Sequence, residues 1–121
     1  MDTFALVRSE HLNHYGFLFG GKLLQWVDEY AWLCATREFP GCSLVTVGMD
    51  NVEFHTQVKN GSILRFSTNR LRKGVTSVTY TTKVFGCEPG AFDEIAVFST
   101  HITFVCVDGS GAKTALPEPK G

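Results

Sequence analysis

The sequence has no long apolar run and almost no net charge, and both absences exclude classes of protein. Its 121 residues carry 11 basic and 12 acidic side chains, a net charge of −1. Such a chain lacks the excess of positive charge that binds nucleic acid or an anionic membrane surface. No stretch approaches the ~18 to 20 apolar residues that span a bilayer, and the N-terminal MDTFALVRSEH lacks the parts of a secretion signal. We therefore expect a cytoplasmic protein without nucleic-acid or membrane partners.

Cysteine is sparse and unpatterned. The four cysteines, Cys34, Cys42, Cys87 and Cys106, are scattered along the chain and form no CxxC pair. Cys34 lies in a helical pattern and Cys106 in a strand pattern, positions that are typical of buried thiols. We expect most of the four to be free thiols, which agrees with a reducing compartment.

The motifs of several enzyme classes are also missing. The sequence contains no GxSxG nucleophile motif, no P-loop and no dinucleotide fingerprint. His11 and His14 lie close together, but no further ligands follow at metal spacing, which argues against zinc. We therefore predict neither a metal nor a cofactor.

The patterns that are present predict one domain, residues 1–121, of the α+β class. Thr3–Arg8 alternates weakly, as a short strand does, and Lys22–Arg37 is the only long helical pattern, which Pro40 ends. The period then changes to two and predicts further strands at Ser43–Asp50, Glu53–Val58, Ser62–Arg72, Thr76–Gly86 and Asp93–Asp108. A long apolar helix and one antiparallel sheet bury each other only if the sheet curves around the helix.

The apolar residues also predict which surfaces are covered. The helix is apolar around most of its circumference, so we expect it to be largely buried. Val45 and Val47 are expected on the apolar face of the sheet. The loop before the helix is too apolar for a free connector, and we expect it to be packed against the domain, with four residues contributing: Tyr15, Phe17, Leu18 and Phe19.

Asp28 is the carboxylate that interrupts the apolar side of the predicted helix. Steps of about 100° per residue place it beside Leu24 and Ala31, whereas Glu29 falls on the polar strip. An unpaired carboxylate on a buried face costs several kcal/mol. Two interpretations stay open: a structural acid satisfied by a nearby donor, or a general base or nucleophile in a pocket.

Gly20 and Gly21 stand directly before the helix. The first turn of a helix has unpaired N–H groups and the positive end of the dipole, which together can polarise a carbonyl or hold an oxyanion. The other interpretation is a tight turn that needs glycine. Gly21 lies two helical turns before Asp28, so the donor and the carboxylate can face one pocket.

A basic cluster precedes a turn of small residues later in the chain. Arg70, Arg72 and Lys73 stand before Gly74–Ser77, and three cations beside such a turn can hold phosphates. A solvated strand end is the alternative.

Three segments are similar to one known family. The most specific is Asn13–Gly21 (NHYGFLFGG), followed after six residues by Asp28; Arg72–Ser77 and Phe104–Pro117 are weaker. Together they resemble the hotdog-fold acyl-CoA thioesterases, of the type represented by the bacterial YciA group and the brain acyl-CoA hydrolases. The similarity extends over nearly the whole chain.

The resemblance implies a hotdog fold, with the sheet wrapped around one central helix, and a homodimer with a continuous sheet, often assembled into a trimer of dimers. It implies an acyl-CoA substrate and an active site between two subunits. Asp28 would be the base or nucleophile, Asn13 of the partner subunit would orient the water or the thioester, and the Gly21 N–H would polarise its carbonyl. The implied substrate-binding residues are Phe19, Gly20, Arg72, Lys73, Gly74, Thr76 and Ser77.

The chain departs from the family pattern at three places, one of which is Val75, where the family has threonine. Glu29, Tyr30 and Trp32 stand where the family has small residues, and Phe54–Gln57 (FHTQ) replaces Phe-Leu-Arg-Pro. Two other functions stay open. One is a non-catalytic module that binds acyl-CoA, and the other is a hotdog dehydratase that would use His14 with Asp28.

Overall fold

The structure, a computed structural model, describes residues 1–120 and contains one long helix and one sheet. Its elements are β1 (Asp2–Leu6), a 3-10 helix (Ser9–His11), α1 (Gly20–Glu38), β2 (Ser43–Phe54), β3 (Ile63–Lys73), β4 (Ser77–Cys87) and β5 (Ile95–Val107). All neighbouring strands are antiparallel, in the order β1-β3-β4-β5-β2. The predicted α+β architecture is confirmed; the predicted domain also includes Gly121, which lies outside the described residues.

Helix α1 forms the core with the sheet because its apolar residues recur on one side. It contacts all four long strands, and Val27, Ala31 and Ala35 are fully buried. The sheet contributes fully buried aromatic side chains: Phe66, Tyr80, Phe98 and Phe104. Burial of each large side chain contributes about 1.5–3 kcal/mol. Within residues 1–120, no helix combines the length and the apolarity that crossing a bilayer requires.

The prediction that α1 is buried around most of its circumference is wrong on one side. Trp32 and Leu33 are exposed in addition to Gln25 and Glu29, which were expected on a narrow polar strip. The opposite side of the helix is buried. The physical reason is the width of the sheet: β2 is an edge strand that pairs only with β5. Beyond that edge, the described residues place no strand against the helix.

The two strands predicted between Ser43 and Val58 are one continuous strand, β2. It keeps its pairing with β5 through two irregularities, and Asn51 lies in the second of them with a φ of 50°. Asparagine tolerates this left-handed conformation better than most residues. The expectation that Val45 and Val47 form part of the covered sheet face is also wrong, because both lie exposed on the edge strand.

The cysteines divide into a pair and two free thiols. Cys42 and Cys106 form a disulfide, with a Cα–Cα distance of 5.9 Å, so the expectation of free thiols is wrong for these two. The register of β2 against β5 explains the pair, since Leu44 lies opposite Cys106 and brings its near neighbour Cys42 alongside. Cys34 is free and buried, and Cys87 is free and half-buried. A cytoplasmic location stays a prediction.

The loop between β1 and α1 is only partly packed against the domain. Leu18 is buried and Phe17 half-buried, but Tyr15 and Phe19 are exposed. The predicted packing of this apolar loop is therefore wrong for Tyr15 and Phe19.

Candidate active site

Asp28 lies half-buried on the side of α1 that faces β2. Its Oδ1 accepts a hydrogen bond of 2.6 Å from the hydroxyl of Thr46, an exposed residue of the edge strand. Hydrogen bonds to an ionised carboxylate are short and strong. The described residues supply no donor to Oδ2 of Asp28, so one oxygen is held in place and the other is free for water or a ligand.

Asn13 is positioned by the backbone of its own loop. Its Oδ1 accepts hydrogen bonds from the N–H groups of Tyr15 (2.9 Å) and Phe17 (3.2 Å). Gly16 makes this tight loop with a φ of 86°, which glycine adopts without strain. Because two donors occupy Oδ1, the orientation of the amide is defined. Its Nδ2 donates no hydrogen bond within residues 1–120 and remains available.

The start of α1 lies beside Asn13. The helix begins at Gly20, and no side chain caps it, so its first N–H groups, including that of Gly21, have no intrahelical partner. The ring of Phe19 covers Gly21 so closely that a Cβ there would lie 2.7 Å from Cε2. A cavity of about 480 Å³ opens here, and Asn13, Phe19 and Gly21 are among its lining residues.

The structure brings some of the predicted site residues together and keeps others apart. Asn13, Phe19 and Gly21 line one cavity, but Asp28 does not line it. Gly21 and Asp28 are two helical turns apart, about 10 Å. Within one chain, Gly21 lines this cavity, whereas Asp28 turns toward Thr46. That Gly21 and Asp28 face the same pocket stays a prediction.

The basic cluster divides into a structural and an accessible part. Arg70 forms an ion pair of 3.7 Å with Glu38, and its guanidinium lies over the Phe39 ring. Arg72 and Lys73 are exposed, next to the turn that ends at Ser77.

The turn from Lys73 to Ser77 is closed by its own backbone. The Gly74 N–H donates to the Ser77 carbonyl at 2.7 Å, and the Thr76 carbonyl accepts from Cys106 at 2.9 Å. Lys73, Val78, Phe104 and Thr46 follow one another across the sheet in register. Three steps of ~4.8 Å therefore separate Lys73 from Thr46, about 14 Å along the sheet.

The histidines of the loop have structural contacts. His11 Nδ1 accepts from the Arg8 N–H at 3.0 Å, and its ring meets the edge of Trp26. His14 lies against the ring of Tyr15. No group of three metal-ligating side chains occurs within the described part of the chain.

The most strongly shifted pKa belongs to Tyr80, a core residue near the C-terminal end of α1. Burial raises the pKa of Tyr80, and a hydrogen bond of 2.6 Å from its hydroxyl to Glu38 raises it further. Burial likewise raises the pKa of the Cys34 thiol. Both residues contribute to packing around the end of α1.

Sequence reasoning missed Thr46 and Phe54. Thr46 stands between two valines in a strand pattern, and this hydroxyl in an apolar run was the available signal. Phe54 ends β2 with its ring next to Gly20, where a Cβ would lie 3.5 Å from it. No local pattern connects Phe54 with the start of the helix.

One central helix held against a five-stranded antiparallel sheet is the hotdog fold. The family model described as the Thioesterase superfamily matches residues 15–90. The chain belongs to this family.

Comparisons with individual proteins of known sequence and structure support this assignment to the family. Protein VdlD of Helicobacter pylori is 30% identical over 110 residues, which cover 89% of this chain and 62% of that protein. The structure of Cj0915, a hexameric hotdog fold thioesterase of Campylobacter jejuni, superposes with a TM-score of 0.85 at 26% identity, over 95% of this chain and 88% of that one. An acyl-CoA hydrolase of Staphylococcus aureus, solved with butyryl coenzyme A, has a TM-score of 0.87 at 24% identity, over 98% and 71%. The chain spans between 10% and 70% of the length of the curated relatives that it matches.

Proposed function

We propose that this protein is an acyl-CoA thioesterase, which hydrolyses acyl-CoA to a free carboxylic acid and CoA. The observation that carries the proposal is the geometry of Asp28, with one oxygen fixed by Thr46 at 2.6 Å and the other open at the edge of the sheet. A thioesterase of this class needs a carboxylate that is positioned but still accessible. The similar proteins described as a hotdog fold thioesterase and an acyl-CoA hydrolase support the same activity.

The active unit in this proposal is a homodimer formed through β2. This edge strand is 12 residues long and exposes apolar side chains: Val45, Val47, Val52 and Phe54. A long apolar edge strand is a template for pairing with another strand. Antiparallel pairing of two β2 strands about their midpoint would extend the sheet across both subunits, and three such dimers would make a hexamer.

The dimer explains why the site is divided within one chain. Phe54 lies at the end of β2 and contacts Gly20 at the start of α1. Antiparallel pairing would bring this end of the partner's β2 to the side where Asp28 and Thr46 lie. Asn13 of the partner subunit and Gly21 of the partner subunit would then face Asp28 across the interface.

The chemistry assigned to this site is acyl transfer to water. In one route Asp28 takes a proton from a water molecule, whose oxygen attacks the thioester carbon. In the other, Asp28 attacks first and forms an anhydride, which water then opens. The Gly21 N–H stabilises the developing oxyanion, and the free Nδ2 of Asn13 orients the water or the thioester. In both routes the C–S bond breaks when the first tetrahedral intermediate collapses, which in the second route precedes the attack of water on the anhydride. The thiolate of CoA leaves and takes up a proton.

The position of the basic turn suits the nucleotide end of CoA. Arg72 and Lys73 are exposed about three strands from Thr46, or ~14 Å along the sheet. The pantetheine arm of CoA is long enough to cover such a distance. Gly74, Thr76 and Ser77 would contact the phosphates at this turn, and Phe19 and Gly20 would contact the thioester end.

The spacing of the polar residues supports the assignment. Alanine variants of the Staphylococcus aureus enzyme have been solved at an asparagine, at an aspartate fifteen positions after it, and at a threonine seventeen positions after the aspartate. Asn13 and Asp28 have the same separation of fifteen, and Thr46 follows Asp28 by eighteen. Because the threonine separations differ by one, we add Thr46 to the proposed site on the ground of its hydrogen bond to Asp28.

The test is the release of free thiol from a panel of acyl-CoAs. Replacement of a catalytic general base typically costs 10²- to 10⁴-fold in rate, and we expect losses of that order for Asp28→Asn and Asp28→Ala. Glu29→Gln is the matched control, since Glu29 is the adjacent, exposed acid, and it should retain activity. Full activity in both Asp28 variants would contradict the role of Asp28. Acyl-CoA binding without thiol release in the native protein would identify a binding module instead.

A further inference from the structure

Trp32 is held across the groove between α1 and β2, one helical turn beyond Asp28. Its indole N–H donates a hydrogen bond of 3.1 Å to the carbonyl of Leu44. Two successive bonds therefore connect the helix to the edge strand, Asp28 with Thr46 and then Trp32 with Leu44. These two hydrogen bonds are about 6 Å apart. Four residues of helix separate Asp28 from Trp32, and two residues of strand separate Thr46 from Leu44, and both spacings give this distance.

Trp32 is the bulky neighbour of Asp28 that reaches this groove. Tyr30 packs on Phe66 in the core, with ring centroids 4.9 Å apart, and Glu29 is exposed on the outer side of the helix. Trp32 remains 39% exposed, although Leu44 is buried. The indole ring therefore forms an apolar end wall, fixed at its nitrogen and accessible on its surface.

The two directions along α1 from Asp28 differ in polarity. Toward the helix start, Leu24 packs against the core, and the groove side carries the polar residues Gln25 and Lys22, whose side chains form a hydrogen bond of 3.4 Å. Toward the helix end lies the indole of Trp32. An acyl chain attached to a carbonyl at Asp28 would bury its methylenes on the apolar side, because each buried methylene contributes to affinity.

We propose that Trp32 limits the length of the acyl group and makes this site selective for short-chain acyl thioesters. This inference rests on the proposed thioesterase function and adds the substrate class. An extended chain advances about 1.2 Å per bond, as a polypeptide backbone does. The helical rise from residue 28 to residue 32 is ~6 Å, the length of about five such bonds, and this sets the scale at which the chain meets the ring. Acyl groups of about two to six carbons fit, and longer ones collide with the indole.

The experiment compares chain-length profiles of the native protein and Trp32→Ala, with acyl-CoAs from two to twelve carbons. We expect the ratio of kcat/KM for lauroyl-CoA over butyryl-CoA to rise at least tenfold in Trp32→Ala, since each newly buried methylene is worth roughly fourfold. Trp32→Phe retains an aromatic wall and should keep most of the short-chain preference. Leu33→Ala is the matched control, because Leu33 is equally exposed at 39% and points about 100° away around the helix.

Dissociation constants for non-hydrolysable thioether analogues of the same lengths, measured by calorimetry, separate this inference from the proposed function. If the native protein binds short-chain analogues more tightly, Trp32→Ala weakens that preference, and neither protein hydrolyses acyl-CoA, then the role of Trp32 stands. The proposed thioesterase activity would in that case be rejected. An unchanged profile in Trp32→Ala, or equal losses at all lengths, would overturn the role of Trp32 even if hydrolysis is fast. If light scattering shows that Trp32→Ala no longer forms the native oligomer, the test uses Trp32→Leu, whose side chain is smaller than tryptophan but still apolar. Its ratio of kcat/KM for lauroyl-CoA over butyryl-CoA should then rise.

Discussion

Replacement of Thr46 by valine tests how the candidate site is held together. The substitution preserves the shape of the side chain and removes the hydroxyl that donates to Asp28 at 2.6 Å. A hydrogen bond to a charged group contributes about 1.5–3 kcal/mol. If this bond holds Asp28 in its reactive orientation, its loss lowers kcat by roughly 10- to 100-fold, since ~1.4 kcal/mol corresponds to tenfold.

The assay is thiol release from butyryl-CoA, with kcat and KM determined separately. Thr46→Val should reduce kcat with little change in KM, because the Thr46 hydroxyl is occupied by Asp28. Thr46→Ser restores the hydroxyl and should recover most of the rate. Thr103→Val controls for the loss of a sheet hydroxyl, since Thr103 pairs with Thr79 at 2.8 Å in the middle of the sheet.

Two results would refute the positioning role of Thr46. Native activity in Thr46→Val would show that Asp28 needs no help from the edge strand. Equal losses in the valine and serine variants would show that the hydroxyl is irrelevant and that the strand surface itself matters. Thermal denaturation of each variant separates either result from simple unfolding.

Two further predictions concern the core and the edge strand. Burial raises the pKa of Tyr80 in the folded protein, so its phenol loses the proton at a lower pH in the unfolded chain. The free energy of unfolding should therefore fall above about pH 10, by up to ~1.4 kcal/mol per pH unit. Urea denaturation from pH 8 to 11 should show this slope in the native protein and a smaller one in Tyr80→Phe, and identical slopes would contradict it. Val47→Lys places a charge on the exposed apolar edge and should shift the protein to monomers in light scattering, whereas Leu71→Lys, which is 46% exposed on another strand, should not.

Local patterns predicted the helix and most strands well. The prediction of Lys22–Arg37 for the helix differs from the observed Gly20–Glu38 only at the ends, because Pro40 and the apolar periodicity are local signals. Strand β5 lies inside the sheet, between β4 and β2, a position that its β-branched and aromatic residues favour. The division of β2 into two strands was wrong because a bulge at Asn51 resembles a turn in sequence, although the backbone pairing with β5 continues through it.

The site was predictable only in part. Asp28 stood out because a carboxylate interrupts an apolar helical side, and Gly21 stood out because a glycine pair precedes the helix. Asn13 was proposed through the family resemblance. Thr46 was not predicted, since its partner lies 18 residues away and no periodicity connects a strand position with a helix position. Local sequence likewise held no signal for the disulfide between Cys42 and Cys106, which are 64 residues apart.

The sequence by itself determined the elements of this protein, because helical and strand periodicity, the glycine pair and the prolines act over a few residues. It also showed that Asp28 is unusual, because a carboxylate there interrupts the apolar side of the helical pattern. Only the tertiary structure decided what Asp28 does with its two oxygens. The curvature of the sheet brings Thr46 to one of them, and the open edge of β2 leaves the other accessible. The same edge leaves Trp32 39% exposed beside the edge strand, because the sheet ends before it covers that side of the helix.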